Sequence, residues 1–201
     1  MSNGRDLLER AQEWIKPYWN AEHLRRTLDW LLLLEPAASL PLRLAALTHD
    51  MERHFPGPDS PRMDVQRGIP DRLYERQHQE RSARVVAAWL TEQGAETALI
   101  EAVRSLVAVH EWGGWPEADL LQAADSLSFL EVNAERFITF GLTGERGFTP
   151  ERVAAHFNYM AERIRHPRAR ELARPLLTQA LTNLELQTGD SSAFGRARER
   201  T

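Results

Sequence analysis

The stretch Leu44–Arg53 constrains this chain most, because an apolar run ends there in an adjacent His-Asp pair. Leu47 and Met51 follow the spacing of one helix face, which is expected to lie in the core. A buried carboxylate such as Asp50 is unfavourable unless a cation or hydrogen-bond donors neutralise it. Neighbouring helical residues also point about 100° apart, so one ordinary interior contact would not use both His49 and Asp50. The pair therefore favours a metal cluster lying across this part of the chain.

The composition limits the classes of function. The chain has 201 residues, 42% of them hydrophobic, which is enough for the core of one domain. A net charge of -4 gives no general sign of a nucleic-acid partner, and the absence of cysteine excludes disulfides and thiolate sites. The longest aliphatic run, Leu31–Leu34, is too short to span a bilayer, and the N-terminus has no apolar signal core. A cytoplasmic location is therefore expected. Because Lys16 is the only lysine among 25 basic residues, arginine richness alone is not a phosphate-binding signal here.

Helical periodicity, caps and prolines predict an all-α, single-domain bundle of about seven to eight helices. The irregular stretch Phe55–Asp71 is expected to be functional because of its length. We predict a metal-binding helical domain over residues 1–148, C-terminal helices packing on it over 149–188, and a loose tail over 189–201. Whether the C-terminal helices complete the core or form a dimer interface stays open.

Polar residues that intrude into predicted helices, or end them, form the candidate site. Imidazole and carboxylate ligands suit iron, manganese, zinc, nickel or cobalt, and not a pure calcium site. Six such ligands exceed the need of one catalytic metal with open positions, and they fit two metals bridged by a carboxylate. The candidate ligands are His23, His49, Asp50, His78, His110 and Asp125.

The order His … His-Asp … His … His … Asp resembles the HD-domain superfamily of metal-dependent phosphohydrolases. The resemblance covers about residues 21–130 and implies an HD-domain-like fold with a binuclear metal centre. It implies that the first metal is held by His23, His49, Asp50 and Asp125, and the second by His78 and His110, with Asp50 bridging.

The chain departs from many members of that superfamily after the His-Asp pair. Those members continue with an apolar residue, Gly and Lys, and the lysine helps to bind phosphate. Here the chain reads Met51-Glu52-Arg53, which makes Arg53 a candidate for the role. Arg81 is a second candidate for a phosphoryl contact, and its alternative is an ion pair on a solvated face. Glu52 and Glu111 adjoin ligands and are candidates for proton transfer.

Several further residues allow two interpretations. Trp112 and Trp115 could form a wall of the substrate pocket or cover the core. His54 could orient a ligand or simply meet the end of a helix. His156 and His166 are expected at the surface.

The resemblance implies a phosphohydrolase that cleaves a small phosphate ester, nucleotides being among the candidates, with a metal-activated water. Asp50, Arg53 and Arg81 are the expected catalytic residues, and two ions of a divalent transition metal (Mn, Fe, Co, Ni or Zn) are the expected cofactor. Two alternatives stay open: a di-iron HD-type oxygenase with the same ligands, and a non-enzymatic metal-bearing ligand sensor. The expected partner is a small phosphorylated molecule, with no membrane and no nucleic-acid polymer, and a homodimer is a further option.

Overall fold

The computed structural model describes residues 4–189, and these form an all-α bundle without β-strands, which confirms the predicted fold class. The α-helices are α1 (Gly4–Ile15), α2 (Ala21–Leu34), α3 (Leu40–Thr48), α4 (Arg72–Glu92), α5 (Thr97–Val107), α6 (Pro116–Ser128), α7 (Ala134–Thr143), α8 (Pro150–Glu162) and α9 (Pro167–Thr188). A π-helical turn, Phe129–Asn133, joins α6 and α7 into one continuous helix. Counted in that way, the described residues contain eight helices.

Side-chain caps determine where several helices begin. The Ser39 hydroxyl accepts a hydrogen bond from the Leu42 amide at the start of α3 (3.4 Å). The Thr149 hydroxyl accepts one from the Arg152 amide at the start of α8 (3.3 Å). Each cap satisfies a backbone N–H that a helix leaves unpaired in its first turn. Asp6 lies inside the first turn of α1, because the helix begins at Gly4.

The apolar interior consists of two clusters that meet at α6. Leu121 of α6 packs in the cluster formed mainly by α1–α5, and Leu127 packs in the cluster formed mainly by the C-terminal half. Helices α8 and α9 bury Phe157 and Leu184 in the second cluster, so they complete a core rather than stand apart from it. The domain boundary at residue 148 stays a prediction, and the loose tail lies, after Gly189, outside the described residues.

Helices α3 and α5 each end shortly before a histidine, and a turn follows each helix. Helix α3 ends at Thr48, and a 3-10 turn follows, so the His-Asp pair lies beyond the helix that was expected to carry it. The His49 imidazole donates a hydrogen bond to the Ala46 carbonyl, which in a continued helix would accept the next backbone hydrogen bond. In the same way α5 ends at Val107, and the His110 imidazole donates a hydrogen bond to the Val107 carbonyl. Both turns direct a histidine into the interior.

No helix within residues 4–189 combines the length and the apolar character that crossing a bilayer requires.

Candidate metal centre

Two histidines present the same nitrogen, Nε2, to the interior. The Nδ1 atom of His49 donates to the Ala46 carbonyl (3.1 Å), and Nδ1 of His110 donates to the Val107 carbonyl (2.7 Å). A carbonyl oxygen only accepts hydrogen bonds, so in each neutral ring Nδ1 carries the hydrogen and Nε2 carries a lone pair. Both rings are therefore fixed in the form that binds a metal through Nε2.

Side chains, rather than backbone carbonyls, keep the hydrogen on Nδ1 in His23 and His78. The Ser128 hydroxyl donates its hydrogen to the His23 carbonyl (2.7 Å), so its oxygen accepts from His23 Nδ1 (2.9 Å). The Glu52 carboxylate accepts from Nδ1 of His78 (2.9 Å). In both rings the Nε2 lone pair again points away from these partners. Carbonyl or carboxylate partners behind metal-bound histidines are a recurrent feature of metal sites.

Three of the four Nε2 atoms lie close to the buried carboxylates of Asp50 and Asp125. Nε2 of His78 lies 2.9 Å from Oδ1 of Asp50, and Nε2 of His23 lies 3.1 Å from Oδ1 of Asp125. Nε2 of His49 lies 3.4 Å from that same Asp125 oxygen. A nitrogen lone pair and a carboxylate oxygen repel each other at these distances unless a proton or a cation lies between them. The arrangement therefore calls for positive charge at its centre.

The ligand atoms form three overlapping groups, each compact enough to surround one ion. In every group the candidate atoms lie within 4.8 Å of one another. Nε2 of His49 and Nε2 of His110 are buried and have no hydrogen-bond partner among the described residues. Buried polar atoms without a partner are uncommon in proteins, so these two nitrogens fit a bound metal. The groups are His23, His49 and Asp125; His49, Asp50 and His110; and His78, His110 and Glu111.

Asp50 lies between the two halves of this constellation. Its Oδ1 atom is 2.9 Å from Nε2 of His78 and 3.9 Å from Nε2 of His49. The side chain is almost fully buried. This position suits the bridging role that the sequence resemblance implies, which stays a prediction.

Glu111 is a ligand candidate whose position the sequence did not reveal. Its Oε1 atom lies 3.7 Å from Nε2 of His110 and 3.8 Å from Nε2 of His78. Arg163, at the end of α8, forms ion pairs with both Glu111 and Asp125, and only 4% of its side chain is exposed. The C-terminal helices therefore supply a buried positive charge to the site.

Arg81 lies behind the site. Its Nη1 donates to the backbone carbonyl (2.8 Å) and to the carboxylate (2.6 Å) of Glu52, and Nη2 donates to the Phe55 carbonyl (2.6 Å). Its Nε lies 3.1 Å from the Asp59 carboxylate. Arg81 is not among the residues that line the cavity. The geometry thus favours a positioning role, in which Arg81 holds Glu52 and Glu52 orients His78, over the expected phosphoryl contact.

Arg53 faces the opposite way and lines the cavity. Its Nη1 donates to Oδ2 of Asp50, and its Nε and Nη2 donate to the Tyr74 hydroxyl (3.2 and 3.0 Å). A guanidinium has five N–H donors, so two are left for a ligand. Of the two arginine candidates, Arg53 is the one that the structure places at the cavity wall.

The protonation states around Asp50 favour cation binding. Burial alone would raise the pKa of Asp50, but the Arg53 guanidinium lowers it well below its usual range. Burial lowers the pKa of His110 to about 4. Near neutral pH the Asp50 carboxylate is therefore ionised and the His110 imidazole is neutral, as metal ligands must be.

A cavity of about 530 Å³ is lined by four of the candidate ligands, His23, Asp50, Glu111 and Asp125. The irregular stretch Phe55–Asp71 lines it over much of its length, in agreement with a functional loop. Its aromatic wall comes from the C-terminal half and includes Phe137, Phe140 and Phe148. Trp112 and Trp115 do not line it, and the Trp112 indole instead donates to Glu75 (2.9 Å).

The expectation that His156 is a surface residue is wrong. Only 9% of the residue is exposed, and its ring stacks on Phe137 with the centroids 4.9 Å apart. His156 follows Val153 by three residues and precedes Met160 by four, so it belongs to the buried face of α8. His166 caps α9, accepting from the Ala169 amide (3.3 Å), and the His54 ring contacts Tyr18.

Comparison with known proteins gives one family. A family model described as "Domain of unknown function (DUF4202)" matches residues 8–173, a range that contains all six predicted ligands and both Glu111 and Arg163. No match is found among curated proteins or among solved structures. Because the match covers well over half of the 201 residues, the chain belongs to this DUF4202 family.

Proposed function

We propose that this protein is a metal-dependent phosphohydrolase of HD type that cleaves a small phosphate ester. The observation that carries the proposal is the convergence of three Nε2 lone pairs, those of His23, His49 and His78, on the buried Asp50 and Asp125 carboxylates, with His110 in the adjoining ligand groups and a cavity alongside. Such a donor set suits two transition-metal ions, and the resemblance in ligand order supports the same reading. The sensor alternative is less favoured, because a complete ligand set beside a large cavity is what catalysis requires.

The donor set fits a metal pair, with His23, His49 and Asp125 on one side and His78, His110 and Glu111 on the other. When bound, the ions would lower the pKa of a coordinated water and neutralise phosphoryl oxygens.

The protein's own groups would orient the substrate. Arg53 offers two N–H donors at the cavity wall, next to Asp50, and a planar guanidinium suits a phosphoryl group. The Tyr74 hydroxyl accepts two hydrogen bonds from Arg53 and so fixes the plane of its guanidinium. Glu52, itself held by Arg81, keeps the hydrogen of His78 on Nδ1. Arg53 is thus a candidate catalytic residue, and Glu52 and Arg81 are positioning residues.

The test is phosphate release by protein loaded with Mn²⁺ or Co²⁺ under anaerobic conditions. Nucleoside monophosphates, sugar phosphates and dinucleotide polyphosphates form the panel. We expect turnover on at least one class, its loss in Asp50→Asn, and its retention in Arg104→Ala, whose arginine pairs with Glu101 on the surface. A hydrolase needs no redox change at the metal, so zinc should also support some turnover.

The oxygenase alternative predicts the opposite pattern. An iron-loaded sample would consume oxygen in a substrate-dependent way, zinc would give no activity, and no phosphate ester would be cleaved. That result would overturn the proposal.

A further inference from the structure

The six carboxylates that line the cavity pair with five arginines, because Glu111 and Asp125 share Arg163. The single negative charge left over lies at the metal end of the cavity, and each carboxylate already has an arginine within ion-pair distance. The pairs are Asp50–Arg53, Glu52–Arg81, Asp71–Arg67, Glu75–Arg72, and Glu111 and Asp125 with Arg163.

Three more arginines line the same cavity on its exposed side: Arg62, Arg136 and Arg146. Among residues 4–189, neither Arg62 nor Arg136 has a carboxylate partner. Arg146 has only the solvated carboxylate of its neighbour Glu145, 3.7 Å from its Nε, and exposed pairs of this kind contribute little. The outer part of the cavity therefore carries uncompensated positive charge.

Aromatic rings hold two of these guanidinium groups in place. Cζ of Arg136 lies 3.9 Å from the centroid of the Trp19 ring and 5.5 Å from that of Phe140. Cζ of Arg146 lies 5.3 Å from the same Phe140 centroid. A guanidinium that packs its face on a ring keeps its N–H edges free for an anion. The two arginines are thus preorganised around one ring.

The backbone of Arg146 adds an independent observation. Arg146 has a φ of 56°, and it is the one non-glycine residue of the described chain with a positive φ. An arginine in the left-handed region is strained, and such residues concentrate at ligand-binding sites. The turn therefore holds Arg146 at the cavity against its backbone preference.

The cavity has room for a molecule larger than phosphate. Its volume of about 530 Å³ lies within the range of roughly 300–1,000 Å³ that is typical of pockets burying a whole small ligand. Phe129, Phe137 and Phe148 also line it and offer an apolar surface to the body of that ligand.

We propose that Arg62, Arg136 and Arg146 form a second anion subsite. The substrate would then be a small molecule with an apolar or planar body, a phosphate ester at one end and a second anionic group, phosphate or carboxylate, at the other. The assignment of the phosphate ester to the metal end rests on the proposed function, whereas the second subsite rests on the three arginines.

The test is calorimetric binding of non-hydrolysable probes to the metal-loaded protein. The probes are α,ω-alkane bisphosphonates of graded length, alkylphosphonates of the same lengths, and ω-carboxyalkylphosphonates. At one length we expect the doubly anionic probe to bind at least about tenfold more tightly than its monophosphonate. Comparing the bisphosphonate with the carboxylate-ended probe identifies the second group.

Substitutions of the three arginines test whether they cause the tighter binding of the doubly anionic probe. The double variant Arg62→Ala, Arg136→Ala should abolish it and leave the affinity for the monophosphonate unchanged, and the surface control Arg104→Ala should change neither. Arg146→Gly, which removes the guanidinium and relieves the φ strain, should reduce the advantage without lowering Tm. An equal affinity for both probes at every length, or an advantage that survives the double variant, overturns the subsite.

The two proposals fail in different ways. If the phosphohydrolase proposal is wrong, phosphate release is absent and monophosphonate affinity does not depend on metal or on Arg53→Ala. The bisphosphonate advantage and its loss in the double variant would still report on the subsite.

Discussion

Each of the four histidines uses its two ring nitrogens for different tasks. Nδ1 donates to a carbonyl, a hydroxyl or a carboxylate, and Nε2 faces the other ligands. The sequence allowed the four rings to be predicted as ligands because, with Asp50 and Asp125, they occur in the order of the HD-domain pattern. It did not allow their Nδ1 partners to be predicted, since Ser128 lies 105 residues from His23 and Glu52 lies 26 from His78.

Removing one imidazole tests this division directly. His49→Ala should lose most bound metal, because His49 belongs to two of the three ligand groups. The matched control is His54→Ala, five residues further along, whose ring packs on Tyr18 and Phe55. Metal content after reconstitution and gel filtration gives the readout. Equal metal content in the two variants would remove His49 from the ligand set.

Glu111→Gln tests the ligand candidate that the structure adds. Replacing the carboxylate by an amide keeps the shape and removes the charge that faces His78 and His110. We expect the loss of one ion of the pair, because the group on the His23 side contains no atom of Glu111. Glu101→Gln, on the exposed face of α5, is the control. A Glu111→Gln protein with unchanged metal content would leave Glu111 as a partner of Arg163 only.

At the level of elements, α8 connects the C-terminal half of the chain to the site. It brings Arg163 between Glu111 and Asp125, and it brings Tyr159 to Glu75. The sequence around Arg163 gives no sign of its role in the site, because almost all basic residues of this chain are arginines. Its partners lie 52 and 38 residues away in sequence, and only the packing of α8 brings them together.

Arg163→Met should destabilise the metal-free protein strongly. It would leave two buried carboxylates without their guanidinium, and breaking a buried ion pair typically costs about 3–5 kcal/mol of unfolding free energy. Added metal should restore part of the loss, because it supplies positive charge to the native state alone. The control Arg165→Met removes a half-exposed pair with Asp119 and should have a small effect. Urea unfolding with and without metal measures both, and equal effects of the two variants would contradict the account.

His156 on the same helix gives a prediction for pH. Burial among aromatic rings lowers its pKa from 6.5 to about 4. The unfolded chain therefore binds a proton at this ring before the native state does, so the contribution of His156 to stability is constant above about pH 6.5 and falls as the pH drops from 6.5 towards 4. His156→Phe should remove about 2 kcal/mol of the stability lost between about pH 7.5 and about pH 5. Unfolding curves at both pH values test this, and an equal loss in the wild type and the variant would show that His156 does not titrate in this way.

At the scale of the molecule, local signals predicted more than long-range ones. The spacing of apolar residues, together with caps and prolines, predicted the all-α bundle, because these effects act within one or two turns of a helix. The helix that was expected to carry His49 and Asp50 ends at Thr48, because the His49 ring donates a hydrogen bond to the Ala46 carbonyl there. The aromatic wall and the outer arginines depend on packing between distant segments, and no local pattern marks them.

The central claim is that this bundle is built around a pair of transition-metal ions, and metal stoichiometry tests it most directly. Protein purified without added metal, and again after loading with Mn²⁺, Fe²⁺, Co²⁺, Ni²⁺ or Zn²⁺ in turn, is analysed by elemental mass spectrometry alongside its Tm. The account predicts about two ions per chain for at least one metal, and a lower Tm after their removal. Protein that retains no metal under any of these conditions, with a Tm unchanged by every ion, would contradict it.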